Sequence, residues 1–200
     1  MDNNKVRFGI SHAYYSVMTI TNGVPTYATP VAFPGSVSLS LSAEGGDPTP
    51  FYADNITYYL SPGSNNGYSG DWEVALIPDQ FAIDVLGAVL DDDGKLLEIG
   101  SAVSKNFALL FEFDGDQNKT RHVLYNCVAG RPDFGSSTIE DAAEPQTETL
   151  SITAIPQEFT KTVQGAEIKN TVVKAKVTAG DSTYDNWFSA VSIPNLSTEA

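Results

Sequence analysis

The stretch that decides the fold is residues 107–129, which read FALLFEFDGDQNKTRHVLYNCVA. Residues 107–113 are apolar except for Glu112, a composition typical of a central strand that is covered on both faces. Polar residues at 114–118 then give a turn signal, and Arg121–Ala129 again has the character of a strand. The sequence therefore predicts a β-hairpin at the centre of the fold.

Alternation of apolar and polar residues marks further strands on both sides of this hairpin. Three segments alternate clearly, and their apolar positions are Val37/Leu39/Leu41, Trp72/Val74/Leu76 and Leu150/Ile152/Ala154. Other strand candidates are residues 14–21, 51–60 and 171–178. Asn22-Gly23 and Asp92-Asp93-Gly94 are turn signals between such runs, so the chain is expected to be rich in antiparallel pairs.

Residues 78–89 have helical rather than strand spacing. A proline and an acidic residue stand at the start, where a first turn favours them, and one face carries Phe81, Val85, Leu86 and Val89. Residues 184–191 are a candidate for a second, shorter helix, with Trp187, Phe188 and Val191 on one face.

About eight strands and one good helix predict a mainly β chain. We expect a two-sheet antiparallel β-sandwich or barrel with one flanking α-helix. Neither an internal repeat nor a shift in composition marks a boundary, so residues 1–200 are expected to form a single domain, in which residues 156–200 supply a C-terminal strand and tail.

Composition and charge narrow the classes of partner. The chain has 200 residues with 25 Asp+Glu against 11 Lys+Arg, a formal net charge of −14, which repels phosphate and argues against specific nucleic-acid binding.

The single cysteine, Cys127, excludes an intramolecular disulfide and a cysteine-based zinc site, and is expected to be a buried structural thiol. No segment has the roughly 18 consecutive apolar residues of a membrane span. Residues 1–5 lack the apolar stretch of a secretory signal, so we expect the chain to be made and to stay in a cytoplasm.

The sequence carries no motif of catalysis. It has no G-x-S-x-G elbow and no glycine-rich phosphate loop, and its two histidines, His12 and His122, stand far apart without metal-ligand spacing. A calcium loop that starts at Asp114 would need a glycine where Lys119 stands and a glutamate where Tyr125 stands. The sequence therefore predicts a non-enzymatic protein without a cofactor or a metal, and leaves binding and structural roles.

Five blocks of sequence resemble the major tail proteins, the tail-tube subunits, of phages with long non-contractile tails (siphophages). The blocks are TPFYADN (49–55), NGYSGDWEVALIP (66–78), FALLFEFDGD (107–116), RHVLYNC (121–127) and EPQTETLSITA (144–154). They occur in the order of that family and cover residues 6–156, about three quarters of the chain. Residues 157–200 resemble the family less.

The resemblance implies a structural virion protein. In that family a two-sheet sandwich with a flanking helix forms hexameric rings, the rings stack into a tube, and the inner sheets join into a barrel around a lumen that conducts DNA during ejection. The implied partners are a tape-measure protein, a tail terminator and a distal tail protein, and the implied location is the virion tail after assembly in the host cytoplasm. A lumen wall that is mainly negative suits this task, because cationic residues would grip the duplex. We expect Lys174 and Lys176, which share one strand face, to lie away from the lumen.

The sequence leaves two other functional classes as alternatives. A β-sandwich adhesion or carbohydrate-binding domain would share the strand pattern and the aromatic content, although it should carry a secretory signal. A small enzyme on a β-barrel would need a catalytic site that the sequence does not contain.

The contact between rings is expected in the region 43–70. The segment 43–50 is too long and too rich in proline for a tight turn, and aromatic residues follow it. Aromatic residues supply most of the binding energy in many protein interfaces. In tail-tube proteins a long loop between early strands reaches the adjacent ring, so the resemblance assigns the inter-ring contact to Glu44, Asp47, Pro48, Phe51 and Tyr52, the last four nearest the tip of the loop. The alternative is that these aromatic residues fill the sandwich.

Overall fold

The computed structural model describes residues 8–116, 118–136, 138, 145–163 and 166–195. The helix begins as α1 (Asp79–Phe81) and continues as a π-helical turn (Ala82–Leu86). The strands are β1 (Ser11–Thr21), β2 (Val24–Tyr27), β3 (Val31–Ala32), β4 (Ser36–Glu44), β5 (Thr49–Ala53), β6 (Ile56–Ser61), β7 (Gly67–Val74), β8 (Val89–Leu90), β9 (Leu96–Leu97), β10 (Phe107–Glu112), β11 (Arg121–Ala129), β12 (Glu148–Ala154), β13 (Gln157–Val163), β14 (Ala166–Val172) and β15 (Lys174–Val177). Residues 1–5, on which the expectation of no secretory signal rests, and residues 196–200 of the predicted tail lie outside the described residues.

Nine strands form one antiparallel sheet in the order β2-β1-β10-β11-β12-β7-β4, in which β15 also pairs with β11 and β3 also pairs with β1. The predicted central hairpin is confirmed, since β10 pairs with β11 from Phe107–Cys127 to Glu112–Arg121. Burial of β10 on both faces is confirmed as well. Phe107 and Leu109 belong to one core cluster and Leu110 belongs to a second cluster on the opposite face.

The sheet bends around the first core. Tyr15 of β1 and Trp72 of β7 are separated in the sheet by β10, β11 and β12, yet both pack against Phe33 and Phe81. The ring centroids of Tyr15 and Phe81 are 4.9 Å apart, and those of Phe33 and Trp72 are 4.3 Å apart. Such contacts require two halves of the sheet to face each other, as in a β-sandwich. The helix closes this core with Phe81 and Val85, both fully buried. The predicted class, a mainly β antiparallel sandwich with a flanking helix, is confirmed.

The second core lies on the other face of β10 and β11 and is covered by the C-terminal part of the chain. Phe159 of β13 and Trp187 pack over Leu110 and Tyr125. The centroids of Tyr125 and Phe159 are 5.0 Å apart. The C-terminal region, for which the sequence predicted only a strand and a tail with a short helix, therefore supplies the cover that makes β10 a buried strand.

The helix predicted at residues 184–191 is wrong, although its shared face is correct. The backbone there forms consecutive turns, with the Trp187 N–H donating to the carbonyl oxygen of Tyr184 at 3.1 Å. The Trp187 indole N–H donates to the carbonyl oxygen of His122 at 3.2 Å, and both Trp187 and Val191 are buried. A segment this short gains little from helix propagation, so anchoring to the sheet decides its path.

The predicted helix at 78–89 is shorter than expected. It ends at Leu86 because Gly87 adopts a left-handed conformation with a φ of 81°. Val89, expected on the helical stripe, lies instead in β8 and is exposed. Leu76, expected on the buried face of a strand with Trp72, is 67% exposed because β7 ends at Val74.

The single strand predicted at residues 171–178 is divided at Val173. β14 pairs with β13, whereas β15 pairs with β11 of the main sheet. The carbonyl oxygen of Val173 accepts a hydrogen bond from the Tyr125 N–H at 3.0 Å, and its side chain is buried. The break lets one segment of chain serve two different sheets.

Cys127 is fully buried in the first core, as predicted, and we expect it to be unreactive in the native protein. Burial raises the pKa of its thiol to about 12, so the nucleophilic thiolate is scarce at pH 8. Labelling with 5,5′-dithiobis(2-nitrobenzoic acid) at pH 8 should be at least about 100-fold slower in buffer than in 8 M urea, where the thiol returns to an ordinary pKa. Stoichiometric labelling of the native protein within the time needed in urea would contradict this burial.

Candidate interaction surface

A long β-hairpin, here called the arm (residues 45–66), continues β4 and β7 beyond the main sheet. Glu44 and Gly67 are partners in the pairing of β4 with β7, and the Ser64 N–H donates to the carbonyl oxygen of Gly46 at 3.0 Å just beyond them. β5 and β6 then form the outer half of the arm, pairing antiparallel from Thr49–Ser61 to Ala53–Ile56.

The single strand predicted at residues 51–60 is therefore wrong, because the chain reverses in its middle. Asp54 and Asn55 both have positive φ, 51° and 62°, and form the two-residue turn between β5 and β6. Aspartate and asparagine tolerate this left-handed conformation better than most residues. This dipeptide was the local signal for the turn, and the aromatic residues on both sides concealed it.

The base of the arm is closely packed. A β-carbon on Gly45 would lie 1.9 Å from the carbonyl oxygen of Ser64, and one on Gly63 would lie 2.6 Å from the carbonyl oxygen of Gly46. Only glycine allows the two backbones to approach this closely. The base thereby limits the directions in which the arm leaves the sheet.

The outer half of the arm exposes large apolar side chains. Their exposed fractions lie between 55% and 71%, and the residues are Phe51, Tyr52, Ile56, Tyr58, Tyr59 and Leu60. The alternative that the arm aromatics fill the sandwich is thus wrong. The first core is filled by other aromatic residues, whereas β5 and β6 pair only with each other in the described part of the chain.

Both faces of the arm are apolar. Phe51 and Tyr59 are cross-strand partners and share one face, and Pro50 and Leu60 are partners on the other. Between Pro48 and Gly67 the only charged residue is Asp54, at the turn. The arm is therefore a largely apolar projection, whose only charged residues are Asp47 near its base and Asp54 at its turn, from a chain with a net charge of −14.

The structure distributes the five predicted contact residues along the arm rather than at its tip. Glu44 ends β4, where its carboxylate accepts a hydrogen bond from the Ser69 hydroxyl. Asp47 and Pro48 lie near the base, because the chain reverses at residues 54–55 and not at 47–48. The expectation that Asp47 and Pro48 are near the tip is therefore wrong. Phe51 and Tyr52 belong to the exposed outer half.

A second exposed apolar surface, here called the groove, lies beside the helix. It encloses a cavity of about 450 Å³ whose apolar lining includes Leu76, Leu86, Leu96, Ile99, Ala102 and Phe134. Four carboxylates also line it: that of Glu98 pairs with Arg131, that of Glu148 accepts a hydrogen bond from the Ile77 N–H at 2.6 Å, and those of Asp79 and Asp133 complete the set. Sequence reasoning missed the groove, because its walls come from segments far apart in the chain.

β4 is an unprotected edge of the main sheet. It ends the strand order, and in the described part of the chain it pairs only with β7. Its sequence, SVSLSLSAE, contains neither proline nor lysine, which are the residues that commonly block an edge. Its free backbone groups can therefore accept a further strand.

His12 lies in a cluster that the sequence did not predict. It occupies a bulge in β1 with a φ of 47°, and its Nδ1 is 2.5 Å from Oε1 of Glu112. Asp114 adds a third group, so that three potential metal-ligand atoms lie within 4.8 Å of one another. Glu112 also pairs with Arg121 at 3.0 Å, and Arg121 packs over the Tyr184 ring at 3.9 Å. The arrangement is accounted for as an ion-pair network that joins β1, the central hairpin and the C-terminal cover.

The carboxylates of Asp91 and Asp116 accept hydrogen bonds from backbone N–H groups of the turns in which they lie. Asp116 accepts hydrogen bonds from the N–H groups of Asn118 at 2.9 Å and Thr120 at 3.1 Å. The Thr120 side chain, together with these N–H groups, lowers the pKa of the Asp116 carboxyl. Asp91 accepts from the N–H groups of Asp93 at 3.0 Å and Lys95 at 2.7 Å in the same way. These carboxylates stabilise turns, as Asx turns do elsewhere.

Comparisons with known proteins identify no relative of this chain among protein-family models or curated proteins. Among the described residues, none of the helices combines the length and the apolar character that a membrane crossing demands.

Proposed function

We propose that this chain is the major subunit of a phage tail tube, a structural protein that forms stacked hexameric rings around a DNA-conducting lumen. The observation that carries the proposal is the arm, whose apolar side chains are exposed on both faces. A two-stranded hairpin of this kind is marginally stable alone and gains from being covered by another surface. The ordered sequence blocks that resemble tail-tube subunits supply the identity of that surface, which is a further copy of the chain.

The edge of β4 supports the lateral part of the proposal. Closing a ring requires each subunit to offer a sheet edge to its neighbour, and an edge without lysine or proline is suited to such pairing. Once strands pair between subunits, the edge is no longer open to aggregation. The tape-measure protein, tail terminator, distal tail protein and virion location follow from the resemblance and are proposed on that ground alone. The absence of enzymatic activity is proposed from the resemblance and from the lack of a catalytic motif in the sequence.

An adhesion or carbohydrate-binding domain is the alternative. Tyr58 and Tyr59 could stack on sugar rings, but a sugar site also needs several convergent polar groups to fix its ligand. In the outer half of the arm the only charged residue is Asp54, and the other polar side chains are spread along both strands from Thr49 to Ser61. A surface that is apolar on both faces fits a protein partner better.

Negative-stain electron microscopy of the purified full chain tests the proposal. Hollow tubes or six-fold rings are the expected result. A monodisperse monomer at high protein concentration that binds a sugar array would instead support the alternative. Tubes built from rings with another number of subunits would contradict the hexamer.

We expect the assembled or unassembled chain to have negligible affinity for duplex DNA. The net charge of −14 repels phosphate, and the longest basic run in the sequence consists of only two alternating lysines, Lys174 and Lys176. Lys174 in addition lies over the Tyr68 ring at 4.5 Å. Filter binding at low salt should retain no more DNA than a filter without protein. Micromolar retention that falls as salt rises would contradict a lumen wall without specific DNA contacts.

A further inference from the structure

We infer that the groove of one copy receives the arm of another copy, so that subunits join head to tail along the direction of β7. The inference deepens the proposed function, on which it rests, by naming the surface that receives the arm. Its basis is the position of the two surfaces at opposite ends of the same strand.

The geometry of β7 sets this polarity. The arm joins β7 at Gly67, the first residue of the strand, whereas Leu76 of the groove follows just after its last residue, Val74. The eight residues of β7 span about 26 Å at the usual rise of a strand. The neighbouring strand β12 also begins at the groove: Glu148, its first residue, lines the groove and pairs with Val74.

A projection at one end and a cavity at the other make a heterologous pair. Such a contact does not close between two copies, because each copy still offers a free arm and a free groove. Repetition builds an open stack rather than a closed ring when the two surfaces face opposite ways, as the two ends of β7 do, and this is the axial growth that a tube of rings requires. A two-fold dimer would instead need the same surface to face itself.

The distribution of charge favours a second copy as the occupant. Copies with a net charge of −14 repel one another, so a contact between them is least costly where charge is absent. The arm carries no charge between Pro48 and Gly67 except at its turn, whereas the groove lining contains Arg131 and four carboxylates, of which those of Glu98 and Glu148 are engaged within the chain. The apolar part of the arm can therefore meet the apolar part of the groove lining without bringing a further charge into the contact.

The available area is of the size that a stable contact needs. Six large apolar side chains of the arm, each more than half exposed, offer on the order of 500 Å² for burial. A stable interface buries about 800 Å² per partner. Because these side chains lie on both faces of the arm, the arm supplies the larger part of that area only when the receiving surface encloses it rather than covering one face.

Chemical cross-linking tests the inference. The variant with Tyr58→Cys and Leu76→Cys places one thiol on the arm and one in the groove, while the native Cys127 is buried and silent. A short bismaleimide should convert the assembled double variant into a ladder of dimers, trimers and longer species on a denaturing gel. Each single variant should stay monomeric. The matched control pairs Tyr58→Cys with Ile20→Cys, a position 59% exposed but outside the groove, and should give no ladder.

A second variant measures assembly directly. Leu76→Asp puts an unpaired charge into the groove and should stop stacking, whereas Ile20→Asp should not. Tubes without a ladder, or a ladder of equal yield in the Ile20→Cys control, would overturn the groove as the receiving surface and leave the proposed function intact. A ladder without rings or tubes would support the head-to-tail contact and contradict the tube. If neither a ladder nor rings or tubes form, both the head-to-tail contact and the proposed function are contradicted.

Discussion

Replacing residues 45–66 with Asn-Gly should abolish tube formation and leave a folded subunit. Glu44 and Gly67 are direct partners in the antiparallel pairing of β4 with β7, so a two-residue turn can join them without moving either strand. The deleted residues contribute nothing to the described core clusters, but they carry the apolar surface proposed to join copies. Size-exclusion chromatography and negative-stain microscopy of the deletion variant and the intact chain measure the effect.

The control for this deletion is its thermal unfolding followed by circular dichroism. The variant should unfold cooperatively within a few degrees of the intact chain, because the two core clusters are unchanged. A milder variant, Phe51→Ser with Tyr59→Ser, keeps the backbone of the arm and should weaken assembly in the same direction. Tubes of normal length from the deletion variant would show that the arm is not the contact.

Trp72→Ala should cost about 3–5 kcal/mol of the free energy of unfolding, the largest single-residue effect expected in this chain. Trp72 is fully buried between Phe33 and Phe81, and its indole N–H donates to the Ser36 hydroxyl at 3.2 Å. The substitution leaves a large cavity at the centre of the bent sheet. Because natural domains are stable by about 5–15 kcal/mol, the loss is a large fraction of the total.

Equilibrium unfolding in urea, performed on the arm-deleted chain so that assembly does not contribute, measures this loss. The matched aromatic control, Tyr58→Ala, is made in the full chain under conditions that keep it monomeric. Tyr58 is 71% exposed, so the control should change the free energy of unfolding by no more than about 0.5 kcal/mol. A loss below about 1 kcal/mol for Trp72→Ala would contradict its central place in the core.

Local sequence patterns were sufficient to predict the main strands and one of their turns. The alternation at Leu150, Ile152 and Ala154 corresponds to β12, in which all three are buried. Asn22-Gly23 forms the turn between β1 and β2, and both residues have positive φ as that turn requires. These features depend on residues close in sequence, so they can be read without knowledge of the rest of the chain.

Helical spacing was less reliable. Residues 78–89 have an apolar stripe, yet the helix ends at Leu86 because Gly87 turns the chain away. Residues 184–191 bury the expected side chains without forming a helix, since the sheet surface beneath them dictates their path. A single glycine therefore ended the first pattern, whereas contacts with the sheet overrode the second.

By itself the sequence determined the β class, the central hairpin at 107–129 and the acidic character of the chain, because side-chain alternation, turn preferences and charge are local or additive properties. Only the tertiary structure decided which apolar segment is covered. Residues 51–60 and 107–113 are similarly rich in aromatic and aliphatic side chains, but β10 has a strand on each side and a packed cluster on each face. Within the part of the chain that the structure describes, β5 and β6 pair only with each other. The groove at the far end of β7 and the pairing of His12 with Glu112 likewise join residues far apart in the chain, and no local pattern encodes such distances.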